Sequence, residues 1–280
     1  MKCPLCVSHT TRAFKTHDFW IRDCLVCRHR FTEIAADSQH AQTIYTDDYF
    51  SGGASAGYHD YLSDSRLLRE RGRRYARMLQ KYAPTGKILD VGAAAGFVLQ
   101  GFAETGWRAA GIEPNAEMAR FARENLNLPV ANSTLENFAV DEQFDLISMI
   151  QVVAHFFDIQ GAFENARRLL SENGFLLIET WNRASLTERV FGNNWHEYSP
   201  PSVLHFFTPH TLNNFAARFG FEKVASGRPA KWINGAHAKS LLRYKFENTA
   251  LENFIRVIPD RFDFPYPAED LFWVLYRKSG

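Results

Sequence analysis

No uninterrupted apolar run of about 18 residues occurs in this 280-residue chain, so no membrane-spanning helix is expected. No sign of charge is in excess. Lys and Arg number 32 against 31 Asp and Glu, for a net charge of +1. A nucleic-acid binder needs a basic surplus to neutralise phosphates, so a nucleic-acid partner is not expected. The opening Met1-Lys2-Cys3-Pro4 lacks the apolar stretch of a secretory signal, which predicts a cytoplasmic protein. No internal repeat and no low-complexity segment is present. No cysteine occurs after Cys27. Apolar residues are plentiful at 46%, and the 24 Phe, 10 Tyr and 6 Trp suit either packed cores or pockets for flat groups. The length accommodates one large domain and a small extra unit.

The four cysteines form two knuckle pairs, Cys3-x2-Cys6 and Cys24-x2-Cys27. Each pair can grip one ion from a tight turn, and four thiolates complete a tetrahedral zinc shell. A redox dithiol pair is the alternative. The gap between the pairs, with Phe14 and Trp20-Ile21, can form a short hairpin. Residues 1–34 bury too little apolar surface to fold alone, so the metal supplies folding energy. Four thiolates leave no open position, which makes such a zinc structural.

Residues 35–83 read as a linker or lid followed by a helix. Tyr45, Tyr49 and Phe50 precede a Gly-rich stretch at 52–57, which interrupts regular structure. Leu68, Tyr75, Met78, Leu79 and Tyr82 recur at helical spacing within 60–83. Arg66, Arg69, Arg71, Arg73, Arg74 and Arg77 make that helix basic; a solvated charged face is preferred to an anion site.

From residue 84 strands and helices alternate. Strands are expected at 87–91, 107–112, 128–131, 144–150 and 175–179. Helices are expected at 97–104, 115–126 and 159–170, the last stopped by Ser171-Glu172-Asn173-Gly174. Thr208–Phe219 reads as a capped helix, 221–226 as a sixth strand and 271–276 as an antiparallel last strand at the sheet edge. This order implies an α/β, parallel, doubly wound sheet with helices on both faces. Irregular segments interrupt it at about 181–210 and at 228–268, the latter expected to be mixed, with helix at 236–258.

Ligands bind such sheets at the carboxyl ends of the strands. Asp90 stands at the tip of the first strand, before the small-residue bend Gly92-Ala93-Ala94-Ala95-Gly96. Small residues let backbone approach a ligand closely. Glu113-Pro114 ends the second strand, where a carboxylate can accept hydrogen bonds from two ribose hydroxyls. The G-x-G-x-x-G spacing of a dinucleotide dehydrogenase is absent, and Asp90 would repel a pyrophosphate.

Asp90-x-Gly92-x-Ala94-x-Gly96 resembles the first motif of class I methyltransferases, with Ala94 where the family has glycine. Glu113 resembles the family's ribose-binding acid. Ser133-Thr134-Leu135 resembles the stretch beside the adenine. Phe144-Asp145-Leu146-Ile147 through Gln151-Val152-Val153-Ala154-His155 resembles the fourth motif, and Leu169–Phe175 the turn into the fifth strand. The resemblance covers roughly 85–225. It implies a Rossmann-like methyltransferase sheet, with S-adenosylmethionine held by Asp90, Gly92, Ala94, Gly96, Glu113, Pro114, Thr134, Leu135 and Gln151. The cysteine module, Tyr-rich segment and catalytic domain also resemble a bacterial subgroup that modifies sugars and other small molecules. Trp195–His205 followed by Phe207-Thr208 resembles its substrate-side segment.

The implied reaction is methyl transfer to the oxygen or carbon of a small-molecule acceptor. Alternatives are an RNA or protein methyltransferase that recognises its polymer through the zinc module, or a non-catalytic protein that keeps the fold. A hydroxyl acceptor gains from a base, and histidine suits that role near neutral pH. His155, just after the fourth strand, is the first choice; His205 and His196 follow. Trp181, Trp195 and Phe207 are either pocket walls or core.

Overall fold

Between the cysteine pairs the chain forms the expected hairpin. Strand β1 (Thr10–Thr16) pairs antiparallel with β2 (Phe19–Cys24). His17 and Asp18 turn it with φ of 44° and 66°, as a tight two-residue hairpin requires. Strand β3 (Arg30–Thr32) extends the sheet. The computed structural model describes residues 1–51, 61–234, 263–266 and 268–280. Met1–Arg228 with Glu269–Gly280 form one unit and Pro229–Ala268 a second.

Two short helices, α1 (His40–Ile44) and α2 (Asp47–Ser51), follow the module. The Gly-rich stretch at 52–57 lies outside the described residues. Helix α3 (Ser65–Leu79) begins after a 3-10 turn at Leu62–Asp64, later than its apolar period alone suggests. The alternation then runs β4 (Lys87–Val91), α4 (Phe97–Ala103), β5 (Arg108–Glu113), α5 (Ala116–Leu126), β6 (Val130–Asn132), β7 (Phe144–Ile150), α6 (Ile159–Leu169) and β8 (Leu170–Trp181). Helix α7 (Leu186–Phe191), the two-residue β9 (His205–Phe206), α8 (Pro209–Ala217) and β10 (Phe221–Gly227) come next. Strand β13 (Leu271–Lys278) closes this unit. The second unit contributes β11 (Lys231–Asn234) paired antiparallel with β12 (Asp263–Tyr266). The helix expected at 236–258 lies outside the described residues.

The main sheet has the order β10-β13-β8-β7-β4-β5-β6. The four pairings from β8 to β6 are parallel, and β4 and β7 at the centre are largely buried, which explains their mainly apolar sequences. Strand β13 is antiparallel to both neighbours. It is not the edge strand expected from its place in sequence: β10 takes the edge, and β13 inserts beside β8, where Val274, Leu275 and Tyr276 are fully buried. The stop expected at Ser171–Gly174 is also displaced. Leu170 already leaves the helix at ψ 136° and pairs with Phe144, burying its side chain completely.

The cysteine module is not self-contained. Its fourth strand is β9, from the far end of the acceptor-side segment, paired through Arg30↔Phe206 and Phe31↔His205. Trp195, Tyr198 and Phe206 of that segment pack with Ile21 of the module as core. Trp195 and Phe207, read above as pocket walls or core, are both core.

Helix α3 lies against α4 at facing glycines. A Cβ on Gly72 would stand 2.0 Å from the Val98 carbonyl oxygen, and one on Gly101 would stand 2.1 Å from that of Arg69. This approach carries Arg71 and Tyr75, one residue before and three after Gly72, to the mouth of the sheet. Helix propensity alone predicts that Gly72→Ala stabilises by about 1 kcal/mol. The contact predicts the opposite sign, a loss of about 2 kcal/mol or more, read as a lowered denaturation midpoint. The basic side chains of α3 are largely spent on ion pairs: Arg69 and Arg73 with Glu104, and Arg73, Arg74 and Arg77 with Glu70.

Candidate functional site

The bend after β4 is shaped by its backbone. Gly92 takes φ +68°, and a Cβ there would lie 2.7 Å from Val152. Ala94 holds φ +47°, the conformation for which the family's usual glycine is suited. The N–H groups of Gly92 and Ala93 donate to the Ile112 carbonyl at 2.9 and 3.0 Å, which ties the bend to β5. Gly96, at φ +86°, starts α4 and does not line the cleft.

The bend, the tips of β5 and β7, and the α1–α2 segment enclose a cleft of about 140 Å3. Asp90, Gly92, Ala94, Glu113, Pro114, Thr134, Leu135, Gln151 and His155 all line it. So do Tyr45, Tyr49 and Phe50 of the segment read as a linker or lid, together with Tyr61 and with Arg71, which was read as part of a solvated charged face. Asp90 is buried and accepts from Ser148 Oγ at 2.5 Å. Glu113 is equally buried; its Oε2 accepts from the Ala94 N–H and its Oε1 from the Asn115 N–H, both at 2.8 Å. Each oxygen retains a lone pair for a further donor.

Burial pushes both carboxyls up to about 7. Ser148 and the Arg71 charge oppose that shift at Asp90, while the Asp90 charge adds to it at Glu113. A positively charged ligand would restore their ionisation; a pyrophosphate would not. Arg71 is held by an ion pair to Glu179, which is fully buried and also accepts from the Tyr75 hydroxyl. Arg71 Nε and Gln151 Nε2 are buried without a hydrogen-bond partner, and both residues line the cleft. Gln151 holds φ +62° at the tip of β7, a strained conformation of the kind that clusters at binding sites.

The histidines separate. His155 lines the cleft, and its Nδ1 is 2.7 Å from the Ser202 carbonyl oxygen. A carbonyl only accepts, so Nδ1 carries the proton and Nε2 is the ring's acceptor. Burial lowers its pKa and keeps it neutral near pH 7. His205 lies elsewhere, buried between His29 Nε2 at 3.2 Å and the Phe156 carbonyl at 3.0 Å, and burial drives its pKa down to about 4. His196 is exposed against Glu197, 3.1 Å away, and outside the cleft. Of the three candidate bases only His155 reaches the cleft, because β9 pulls His205 into the module's sheet.

The four cysteine sulfurs lie within 4.8 Å of one another, the one such group among the described residues. Cys3 and Cys27 are 3.6 Å apart and Cys6 and Cys24 3.4 Å apart, far beyond a disulfide's ~2.05 Å. A tetrahedral zinc with bonds of ~2.3 Å needs sulfurs about 3.8 Å apart. The Val26 and Cys27 N–H groups point at Cys24 Sγ at 3.4 Å, and Val7 and Arg28 take positive φ to close the two knuckles. Thiolates this close repel one another unless a cation lies among them. The donor set therefore fits zinc.

A parallel sheet with antiparallel β13, a small-residue bend and an acid at the tip of β5 defines a class I methyltransferase dependent on S-adenosylmethionine. The chain belongs to the methyltransferase-domain family, whose profile matches residues 64–226. It is 29% identical over 190 residues to a ubiquinone biosynthesis O-methyltransferase of Glaesserella parasuis, covering 61% of this chain and 78% of that protein. To the one from Rhodopseudomonas palustris it is 28% identical over 145 residues, 48% of this chain and 57% of that one. The chain thus spans little more than half the length of the latter. Among solved structures it is similar to magnesium protoporphyrin IX methyltransferase from Synechocystis PCC 6803 with SAH bound, at a TM-score of 0.54 and 12% identity, covering 85% of this chain and 100% of that one. A SAM-dependent methyltransferase from Archaeoglobus fulgidus gives 0.53 at 17% identity, covering 78% and 99%. At these identities the likeness is one of fold. No helix among the described residues is long and apolar enough to cross a membrane.

Proposed function

We propose that the protein methylates a hydroxyl oxygen of a small-molecule acceptor, with His155 as general base and a structural zinc in the N-terminal module. The observation that carries this reading is the His155 ring, its Nδ1 held by the Ser202 carbonyl, in the wall of a cleft built on two buried carboxylates. Bound S-adenosylmethionine supplies an activated methyl group on a sulfonium sulfur. Glu113 would accept from the ribose hydroxyls. Asp90 would offer its charge to the cationic end of the cofactor, and Arg71 would offer an N–H to the carboxylate end. Thr134 and Leu135 would border the adenine. His155 Nε2 takes the acceptor's proton while Nδ1–H stays on the Ser202 carbonyl.

The names of the curated relatives support an O-methylated small molecule. The ion-paired arginines of α3 disfavour RNA. The test is a transfer assay with labelled cofactor against phenols, sugars and RNA. We expect turnover on hydroxylated small molecules, and His155→Ala to lower kcat roughly 100-fold or more with cofactor affinity unchanged. Turnover on RNA alone, or a fully active His155→Ala, contradicts the assignment.

A further inference from the structure

Asn115 uses every polar group it has. Its backbone N–H donates to Glu113 Oε1 at 2.8 Å. Its Oδ1 accepts from the Met118 N–H at 2.8 Å and so caps α5. Its Nδ2 donates twice into the α1–α2 segment, to the Tyr45 carbonyl at 2.9 Å and to Asp47 Oδ1 at 3.0 Å. The Asn115 side chain is buried, while its acceptors lie nearer the surface, Tyr45 half-buried and Asp47 exposed. A helix cap alone needs only the Oδ1. Ser, Thr or Asp would cap as well, and none of them offers two amide donors.

What the two donors hold is one wall of the cleft. Tyr45, Tyr49 and Phe50 line it together with Asp90 and Glu113. The Tyr45 hydroxyl donates at 3.2 Å to the Ser202 carbonyl, the same oxygen that receives His155 Nδ1–H. The Tyr45 ring meets the His155 ring edge-on, with centroids 5.7 Å apart. One connected set of hydrogen bonds therefore runs from Glu113 through Asn115 and Tyr45 to the carbonyl that orients His155.

We infer that Asn115 is a positioning residue: its amide latches the α1–α2 segment over the cofactor, slows cofactor release and keeps the Tyr45–Ser202–His155 arrangement in register. The inference rests on the cofactor reading above. A cofactor that fills the cleft beneath Tyr45 and Phe50 leaves only when the segment lifts, and lifting breaks both amide bonds.

Asn115→Asp separates latch from cap. It keeps the Oδ that accepts from Met118, removes both donors and sets a second carboxylate against Asp47. Asn115→Ser keeps a cap without the added charge. The double variant Asn115→Asp with Asp47→Asn restores one bond with donor and acceptor exchanged. Dissociation of S-adenosylhomocysteine from the full chain is followed by stopped-flow protein fluorescence, with the thermal midpoint of each ligand-free variant alongside. We expect release to quicken roughly tenfold to a hundredfold in Asn115→Asp, less in Asn115→Ser, and to slow again in the double variant, while the ligand-free midpoint falls only slightly. The KM for the cofactor rises with the release rate. Wild-type release rates in both single variants overturn the latch, as does a double variant no slower than Asn115→Asp. Wild-type protein that binds no cofactor overturns the cofactor reading instead, so the two failures are distinguishable.

Discussion

Glu113→Ala is expected to abolish S-adenosylmethionine binding while leaving the sheet folded. The carboxylate stands at the tip of β5 with both oxygens already fixed by the Ala94 and Asn115 N–H groups. Those bonds preorganise it to receive two hydroxyls, so none of the binding energy is spent on orienting the acceptor. Losing two charge-assisted bonds weakens affinity by about 3 kcal/mol or more, at least a hundredfold in Kd. The Ala94 N–H then lacks its partner, and the bend at φ +47° loses what holds it. The thermal midpoint falls modestly, because the apolar core of β4, β7 and β8 is untouched. Glu113→Gln keeps one oxygen and falls between. Calorimetric titration of folded variants, checked by circular dichroism, reads the result. An unchanged Kd in Glu113→Ala would show that the cofactor lies elsewhere.

Removal of the proposed zinc is expected to have the second large effect. Apparent binding energies of structural zinc sites run to about 10–16 kcal/mol, more than a module of three short strands can replace by burial. Chelation, or Cys24→Ser, is therefore expected to unfold β1–β3. The damage spreads along the chain, because β9 pairs with β3 and the Thr32 N–H is bound to the Leu204 carbonyl. Leu204 in turn donates its N–H to Ala154, beside His155, and Ser202 orients the histidine itself. Asp90 and Glu113 stand on β4 and β5, and Ser148, Ala94 and Asn115, which hydrogen-bond them, lie outside the module. Metal loss should thus lower kcat steeply while cofactor Kd changes little. Zinc content of the purified chain and an unfolding curve with and without chelator check this. A chain purified without metal, or an unfolding curve indifferent to chelation, contradicts it.

What the sequence disclosed and what it concealed have separate physical causes. The strand–helix alternation, the bend at Asp90–Gly96 and the acid at Glu113 follow from local pattern, and Asn115 and Thr208 act as caps at the positions their side chains favour. The cysteine spacing likewise predicts a cluster that the fold assembles. His205 misled because its partner strand β3 is distant in sequence, and no local pattern records that pairing. Arg71 was hidden among similar arginines. Its register holds the one signal: it lies three residues after Leu68 and four before Tyr75, on the apolar stripe rather than on the ion-paired face. The edge position of β10 depends on how β13 inserts, which is a matter of packing across the whole sheet.

On the proposed reading, a cationic cofactor ionises Asp90 and Glu113 in a cleft that otherwise favours their neutral forms. Burial lifts both carboxyls to about 7. In the ligand-free protein their contribution to stability is therefore fullest below the usual carboxylate range, near pH 4, and is lost as pH rises through 7. A bound cation reverses that trend. Calorimetric titration with S-adenosylmethionine at pH 6 and pH 8, each in two buffers of different ionisation heat, measures affinity and proton release together. We expect tighter binding at pH 8 and net release of protons at pH 6. Equal affinity at both values without proton release, or binding of a nicotinamide dinucleotide in its place, contradicts the account.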